Sequence, residues 1–511
     1  MRQRLAVKSS AIGLVARMSA LVLSLISTRL FVQYIGIEIK GISGIISNML
    51  SLLQLAEMGI GAAIVYALYK PLAENDIESV KSLMAFYKKS YRAIGILILF
   101  IGIIVSFFLR VLIEETSYSW DYIYLVFFIQ LLTSVSTYLI GAYRRNLLYA
   151  DQKQYVNVII DTIANVVFTV VRLCVIVYAR SYIAYIILQL IQTVASNLII
   201  FGISQRDYPY LKEKDIKPYS KMPELIGNLK NVVIGKIGGV VYNSTDNIII
   251  SKFVGVIAVG YITNYATIKS MVKVLVNSVM EPVRPMIGNY VIENSEVKKS
   301  YRLFLNYTFV RFVIGNIITV GLVVLFNPLI DIWLKEGYTL AIIVPILIAM
   351  DLYIDILHGP TWEFMNALGL FRSDRNLSYG GAFVNLVSSI ILVQIMGTPG
   401  VLVGTVIAQC YYWIARAHII FSRYFQTGRL KYCLHIAGYS VITIIDSIIV
   451  TIIRNRLMPR TNIVMFIVMC GICVSVSLLS IMLFWSRTDE YLFMKNMLLQ
   501  MVNRKNKECV E

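Results

Sequence analysis

Long apolar runs separated by short polar and basic segments recur from one end of the chain to the other. Runs of 18 or more apolar residues have the length a helix needs to cross a bilayer. Helices suit that role because hydrocarbon satisfies no backbone N–H or C=O, so each segment must satisfy its own. About fourteen spans can be placed, near residues 11–35, 44–69, 91–112, 119–146, 155–179, 183–203, 229–253, 257–280, 304–327, 338–365, 378–396, 399–421, 433–453 and 461–485. The expected fold is an all-α integral membrane protein. The opening apolar stretch runs about 25 residues, longer than the 7–15 of a signal-peptide core, and no small-residue cleavage site follows. It is expected to be a first span.

The pattern also occurs twice. Residues 229–261 laid on residues 10–42 place Lys236 on Arg17, Asn243 on Ser24, Asn247 on Thr28, Phe253 on Tyr34, Gly255 on Gly36 and Gly260 on Gly41. The same shift places Ser270 on Ser51, Arg311 on Arg92 and Gly321 on Gly102. Self-similarity at one fixed spacing marks a repeated structural unit. Spans one to six map onto spans seven to twelve, and an even number of spans leaves both copies in the same orientation, as parallel repeats. The expected organisation is an N-lobe over 1–203, a connector over 204–228, a C-lobe over 229–422, two appended spans over 423–485, and a polar tail over 486–511.

Each copy opens on a basic residue followed by small polar residues seven and eleven positions later. At about 100° per residue these offsets return to within about 20° of the start. Arg17, Ser24 and Thr28 thus share one helix face, as do Lys236, Asn243 and Asn247. Two such stripes imply a polar cleft between two halves.

Composition adds orientation. The net charge of +18 could indicate nucleic acid, but no loop is long enough to form a soluble basic domain. The positive-inside rule accounts for it better: with the N-terminus in the cytoplasm, roughly 31 basic residues fall inside and roughly 8 outside. The connector, RDYPYLKEKDIKPYSKMPE, is rich in them; only Arg454, Arg456 and Arg460 run against the rule. Both termini are therefore expected in the cytoplasm of a multi-pass cell-membrane protein. The six cysteines imply no disulfide framework, and Cys470-Gly-Ile-Cys473 lies within an apolar helix.

Charges within spans need a reason, because each costs roughly 2.5–3.5 kcal/mol on insertion scales. The basic set is Arg17, Arg29, Arg172, Lys236, Lys269, Lys273, Arg311 and Arg416; the acidic set is Glu57, Asp161, Asp246, Asp351, Asp355 and Asp446. Arg17, Lys236, Arg311 and Arg416 stand near span ends, where long side chains can also snorkel to the headgroups. Lys269 is deeper and is expected to line a cavity. Glu57 has two readings, a salt bridge to Arg17, Arg29 or Lys269, or a site for a coupling proton or cation. Asp246 has the same two. Asp351 and Asp355, four residues apart, would repel if both were ionised and bare. No nucleophile–base pair, metal-ligand cluster or phosphate loop stands out, and His358, His418 and His435 are scattered. Neither catalysis, a metal nor a cofactor is expected. A net-cationic cleft suits an amphiphile with an anionic head, diphosphate above all, for which Arg and Lys are the binding residues.

Four stretches in order, TRLFVQYIGIEIKGI, LLQLAEMGIGAAI, STDNIIISKFVGVIAVGYITNYATI and MNALGLFRS…FVNLVSSIILVQIMGTPGVLVGTVIAQ, resemble the multidrug/oligosaccharidyl-lipid/polysaccharide exporter superfamily. Within it they are similar to the polysaccharide-biosynthesis flippases of the O-antigen type. The resemblance spreads over nearly all of residues 9–425. It implies two six-helix bundles facing each other in a V, with variable C-terminal spans. It also implies alternating access through a cationic central cavity, for which Arg17, Arg29, Lys236 and Lys269 are the best matches. Lys273, Arg311, Asn243 and Asn247 complete the expected substrate-binding set, with Glu57 and Asp246 as ion-coupling candidates. Glu57 departs from the pattern, standing where many relatives carry Asp or no charge.

The implied activity is translocation of undecaprenyl-diphosphate-linked oligosaccharide units to the outer leaflet for surface-polysaccharide assembly. The implied partners are the lipid-linked oligosaccharide and the bilayer, with a proton or sodium gradient and a polysaccharide polymerase as further candidates, and no nucleic acid. A drug/cation antiporter of the same fold would favour an acidic lumen, whereas basic residues outnumber acidic ones within the spans. A polymerase would need a large outer loop, and the outer loops are short.

The topology is testable. A reporter fused after Glu115 or Glu336 is expected to read outside, and one fused after Lys214 or Arg375 inside. A cytoplasmic signal at Glu336 would invalidate the span count.

Overall fold

The structure is a computed structural model that describes residues 2–57, 60–114, 116–213, 238–242, 244–293, 296–457 and 462–508. Among these residues every regular element is helical. Two compact units are formed, Met1–Thr263 and Asn264–Glu511.

The first unit contains α1 (Arg2–Tyr34), α2 (Ile37–Leu53), α3 (Ile60–Ala73), α4 (Ile77–Ser106), the short α5 (Leu109–Leu112), α6 (Trp120–Leu139), α7 (Tyr143–Ala150), α8 (Gln154–Cys174), α9 (Tyr182–Asp207) and α10 (Asp246–Phe253). The next helix, α11 (Val256–Met280), runs from the first unit into the second. The second unit continues with α12 (Val283–Glu293), α13 (Val297–Leu334), α14 (Ile343–Ala367), α15 (Phe371–Met396), α16 (Thr398–Ile420), α17 (Arg429–Leu457), α18 (Ile463–Trp485) and α19 (Asp489–Glu508). Nine helices among the described residues are long and apolar enough to cross a membrane, and Met18–Tyr34 and Ala63–Ala73 are shorter apolar segments.

Three expected spans differ from single bilayer-length helices. The span expected over 44–69 is two helices, α2 and α3, with a 3-10 turn at Gln54–Glu57 between them. The span expected over 119–146 breaks between α6 and α7 at Gly141, whose φ of 69° is left-handed and favours a residue without Cβ. Hydropathy registers neither break, because apolar content continues through both. The span expected over 304–327 belongs to a 38-residue helix, α13, about 57 Å long at 1.5 Å per residue against a hydrocarbon core of about 30 Å.

That helix is the axis of the second unit and is buried along most of its length. Phe309, Phe312 and Val313 pack with Tyr353 and Leu357 of α14 and with Tyr439 of α17. The rings of Phe312 and Tyr439 stack at 4.1 Å between centroids. Further along, Val320 and Val324 meet Val450 of α17 and Met469 and Cys473 of α18. The two appended spans are thus bound into the core of their unit. A polar staple joins all three helices, since Asp446 accepts from Asn316 Nδ2 (2.9 Å) and Ser480 Oγ (2.7 Å). The outer faces carry exposed large apolar residues such as Phe100, Ile467, Leu483 and Phe484. In water these would be a liability; facing lipid, they are the expected surface.

At the water-facing end of α4, Asp76 caps the helix by accepting from Ser79 N (3.1 Å), and the Ser79 hydrogen bonds hold its carboxyl below the usual carboxylate range. In the first unit the repeat is visible in the backbone. Gly36 and Gly255, one repeat apart, hold φ values of 105° and 113°, each just ahead of a helix. Gly41 and Gly260, also one repeat apart, make a reciprocal close approach between α2 and α11. A Cβ on Gly41 would lie 2.1 Å from the Val256 carbonyl oxygen, and one on Gly260 would lie 2.3 Å from that of Ile37.

Because the obstructing atoms are backbone, they cannot rotate away. Gly41→Ala and Gly260→Ala are each expected to destabilise the protein by roughly 1–3 kcal/mol, the range for overpacking. Gly202→Ala, with no atom within 4 Å of its new Cβ, is expected to be neutral or slightly stabilising. Thermal unfolding of the three variants in detergent checks this.

Candidate functional site

The residues expected to carry the chemistry fall into three groups. In the first unit, Glu57 sits on the 3-10 turn between α2 and α3. Its carboxylate accepts from the hydroxyls of Tyr91 on α4 and Tyr138 on α6, the latter at 2.6 Å. Tyr87 donates to Tyr91 (2.9 Å), and Asn146 of α7 donates to Tyr87. Each hydroxyl in this chain donates once, so every proton points toward Glu57. Among the described residues no basic side chain lies within ion-pair distance of it. The turn borders a groove of about 670 Å³ that also includes Tyr66, Tyr69 and Asn146. The four partners were not singled out in the sequence, although Tyr87 and Tyr91 stand four residues apart on one face of a helix.

In the second unit, Lys269 and Lys273 of α11 face Asp351 and Asp355 of α14 as a two-rung ladder. Lys269 contacts Asp351, and Lys273 Nζ lies 2.7 Å from Asp355 Oδ2. The mutual repulsion expected of the two aspartates is relieved because each has its own cation. The side chains differ in access: Asp351 is 6% exposed and Asp355 23%, against 31% for Lys269 and 47% for Lys273. The ladder therefore presents its cationic side outward. An anion that competes with the aspartates meets the ammonium groups first.

Arg311 is placed differently. Buried on α13, it donates from Nη2 to Glu363 (2.6 Å) and Tyr307 (2.8 Å), and from Nη1 to the Ile356 carbonyl (3.1 Å). Arg284 Nε donates to the same Glu363 oxygen at 3.0 Å. Gly359 makes the room, since a Cβ there would lie 1.9 Å from Arg311 Nη1. This guanidinium is committed to the interior of its unit. Arg416 likewise pairs with Asp374 (2.7 Å), and Arg145 with Asp161 (2.7 Å).

Of the remaining expected residues, Arg29 is exposed on α1, and Asp246 and Asn247 are half-buried in the first turn of α10. Ser24 and Thr28 of the first polar stripe line a pocket in the first unit together with Lys40 and Arg172. The side chain of Arg17, and Lys236 and Asn243 altogether, lie outside the described residues.

Glu363 carries the sharpest structural prediction. Glu363→Gln leaves Arg311 and Arg284 without their carboxylate and is expected to cost roughly 3–5 kcal/mol, the range for breaking a buried ion pair. Lys273→Gln, at an exposed rung, is expected to cost about 1 kcal/mol or less. Thermal melts of the two variants in detergent compare them.

Comparison with known proteins places this arrangement. No curated protein sequence matches the chain. A lipid II flippase MurJ in its inward closed conformation is 17% identical, with a TM-score of 0.68 over 94% of this chain and 99% of that one. An inward-facing multidrug resistance MATE family transporter of the MOP superfamily is 13% identical, with a TM-score of 0.58 over 84% of this chain and 99% of that one. A MOP superfamily transporter from Pyrococcus furiosus is 14% identical, with a TM-score of 0.55 over 84% and 95%. At these identities the likeness is one of fold. The polysaccharide biosynthesis protein family matches residues 6–291, more than half of the sequence, and the chain belongs to it.

Proposed function

We propose that this protein moves undecaprenyl-diphosphate-linked oligosaccharide units from the inner to the outer leaflet, for assembly of a surface polysaccharide, by alternating access between two parallel lobes. The observation that carries this reading is the family membership, joined to a fold shared over almost the whole chain with a lipid II flippase. Arg17, Arg29, Lys236, Lys269 and Lys273, with Asn243 and Asn247, are the groups we propose for the substrate's diphosphate. The ladder supports this for the two lysines. The ammonium groups are more exposed than their carboxylate partners, so a diphosphate can reach them from the open side while each keeps its aspartate. Arg311 serves this reading as a positioning residue that holds α13 to α14 through Glu363. Both termini are proposed to be cytoplasmic, and the membrane to be the cell membrane.

Glu57 supports a proposal about coupling. Its tyrosine cage leaves the charge without an ionic partner among the described residues, which suits a proton or sodium ion driving the cycle. The same feature is what favours a drug/cation antiporter as the second reading, since such a transporter also needs an exchangeable carboxylate.

Proteoliposomes loaded with a fluorescent undecaprenyl-diphosphate saccharide separate the two. The wild type is expected to expose the label to an external quencher, with Lys269→Ala and Arg17→Ala slower by about tenfold or more and Arg17→Lys less affected. Glu57→Gln is expected to bind the lipid normally but lose any acceleration by an imposed ion gradient. Wild-type flipping rates in both alanine variants sink the diphosphate proposal. Gradient-driven export of an organic cation without movement of the lipid moves the assignment to the antiporter.

A further inference from the structure

We propose that the first unit contains a binding pocket for an acidic sugar. The pocket lies among α1, α2, α6, α8 and α9 and has a volume of about 330 Å³, at the small end of the roughly 300–1,000 Å³ of small-molecule sites. Its wall is polar and contains two cations, Lys40 and Arg172, but no carboxylate. Several other cations within the spans are paired instead. Lys269, Lys273, Arg311 and Arg416 each face an acidic side chain, as the cost of an intramembrane charge leads one to expect.

Lys40 and Arg172 are held by neutral groups instead. Buried Arg172 donates from Nη2 to Thr169 (2.9 Å) and from Nε to the Phe168 carbonyl (3.3 Å), and its guanidinium lies 5.2 Å from the Tyr185 ring centre. Its Nη1 has no protein acceptor among the described residues. Lys40 Nζ lies 5.6 Å from the centre of the Phe31 ring. Hydrogen bonds to hydroxyls and ring faces stabilise a cation without neutralising it. The charge is left for something that enters the pocket.

The rest of the wall says what kind of anion. A bare inorganic anion needs donors only, but this wall mixes donors and acceptors: hydroxyls of Ser24, Ser27, Thr28 and Ser43, and amides of Asn165 and Gln189. That mixture matches the hydroxyl groups of a pyranose. Tyr182 and Tyr185 lie nearly parallel at 6.1 Å between centroids, and Gln130 Nε2 donates to Tyr182 (2.7 Å), holding that ring in place. Half-buried Tyr185, backed by buried Tyr182, offers an aromatic surface suited to the C–H face of a sugar ring, and the two cations suit a carboxylate on it. The pocket is therefore matched to a uronic-acid unit, the carboxylate going to Arg172 Nη1 and Lys40.

This inference rests on the flippase reading for where such a sugar would come from, namely the saccharide part of the transported lipid. It is tested separately from that reading, with soluble probes. The purified full chain in detergent is titrated with glucuronate, glucose and inorganic phosphate, and binding is followed calorimetrically. Glucuronate is expected to bind about tenfold tighter than either of the others. Arg172→Gln and Lys40→Gln are each expected to lose about tenfold for glucuronate and little for glucose, with Arg172→Lys intermediate. Lys40→Gln with an unchanged melting temperature guards against misfolding as the cause. Glucose binding as tightly as glucuronate overturns the role of the cations, and phosphate binding as tightly overturns the sugar. Absence of glucuronate binding to a wild type that still flips lipid overturns this inference alone; binding without flipping supports it and overturns the flippase reading.

Discussion

A charge placed among apolar helices must be met by an opposite charge or by several hydrogen-bond donors or acceptors, and this requirement orders the interior of both units. In the second unit the answer is pairing. Lys269 and Lys273 face Asp351 and Asp355, Arg311 and Arg284 share Glu363, and Arg416 faces Asp374. Such pairs are weak sources of stability, because well-packed apolar side chains of the same size would often do as well. Their value is conditional. Each pair is costly to break and nearly neutral to keep, so the charges can persist among apolar helices.

The first unit has pairs of its own, such as Arg145 with Asp161, and adds a second device. Glu57 is surrounded by phenol hydroxyls, and Lys40 and Arg172 by hydroxyls, a carbonyl and aromatic faces. Neutral surroundings hold a charge in position and leave it uncancelled. Both devices occur in each unit, since Arg145 pairs with Asp161 in the first and Asp446 is held by neutral Asn316 and Ser480 in the second, so the protein carries two kinds of charged group.

Backbone geometry sets where these groups stand. Glu57 reaches its tyrosines because the chain leaves the α-helical path at Gln54–Glu57, and Asn146 reaches Tyr87 because Gly141 ends α6 and lets α7 begin. Broken helices inside a membrane are tolerated where protein groups or water take up the freed backbone. The groove beside Glu57 is such a place. The paired approach of Gly41 and Gly260 is the opposite device, packing two backbones with no side chain between them.

The sequence by itself determined the helical class, the membrane setting and the family, because apolar runs of bilayer length leave a chain no other economical fold. It also set Gly36 and Gly255, and Gly41 and Gly260, one repeat apart; the structure gives the first pair similar positive φ and brings the second pair's helices together. Only the tertiary structure decided which charges meet. Spacing along a helix tells which residues share a face, but the partner of Lys269 lies 82 positions away and that of Arg311 lies 52. For the same reason the many tyrosines could not be sorted in advance between the membrane interface and a polar site. The fold sorts them, setting Tyr91 and Tyr138 on Glu57 and Tyr182 and Tyr185 beside Arg172. Hydropathy is a sum over side chains, and it is blind to the backbone turns that bring these groups together.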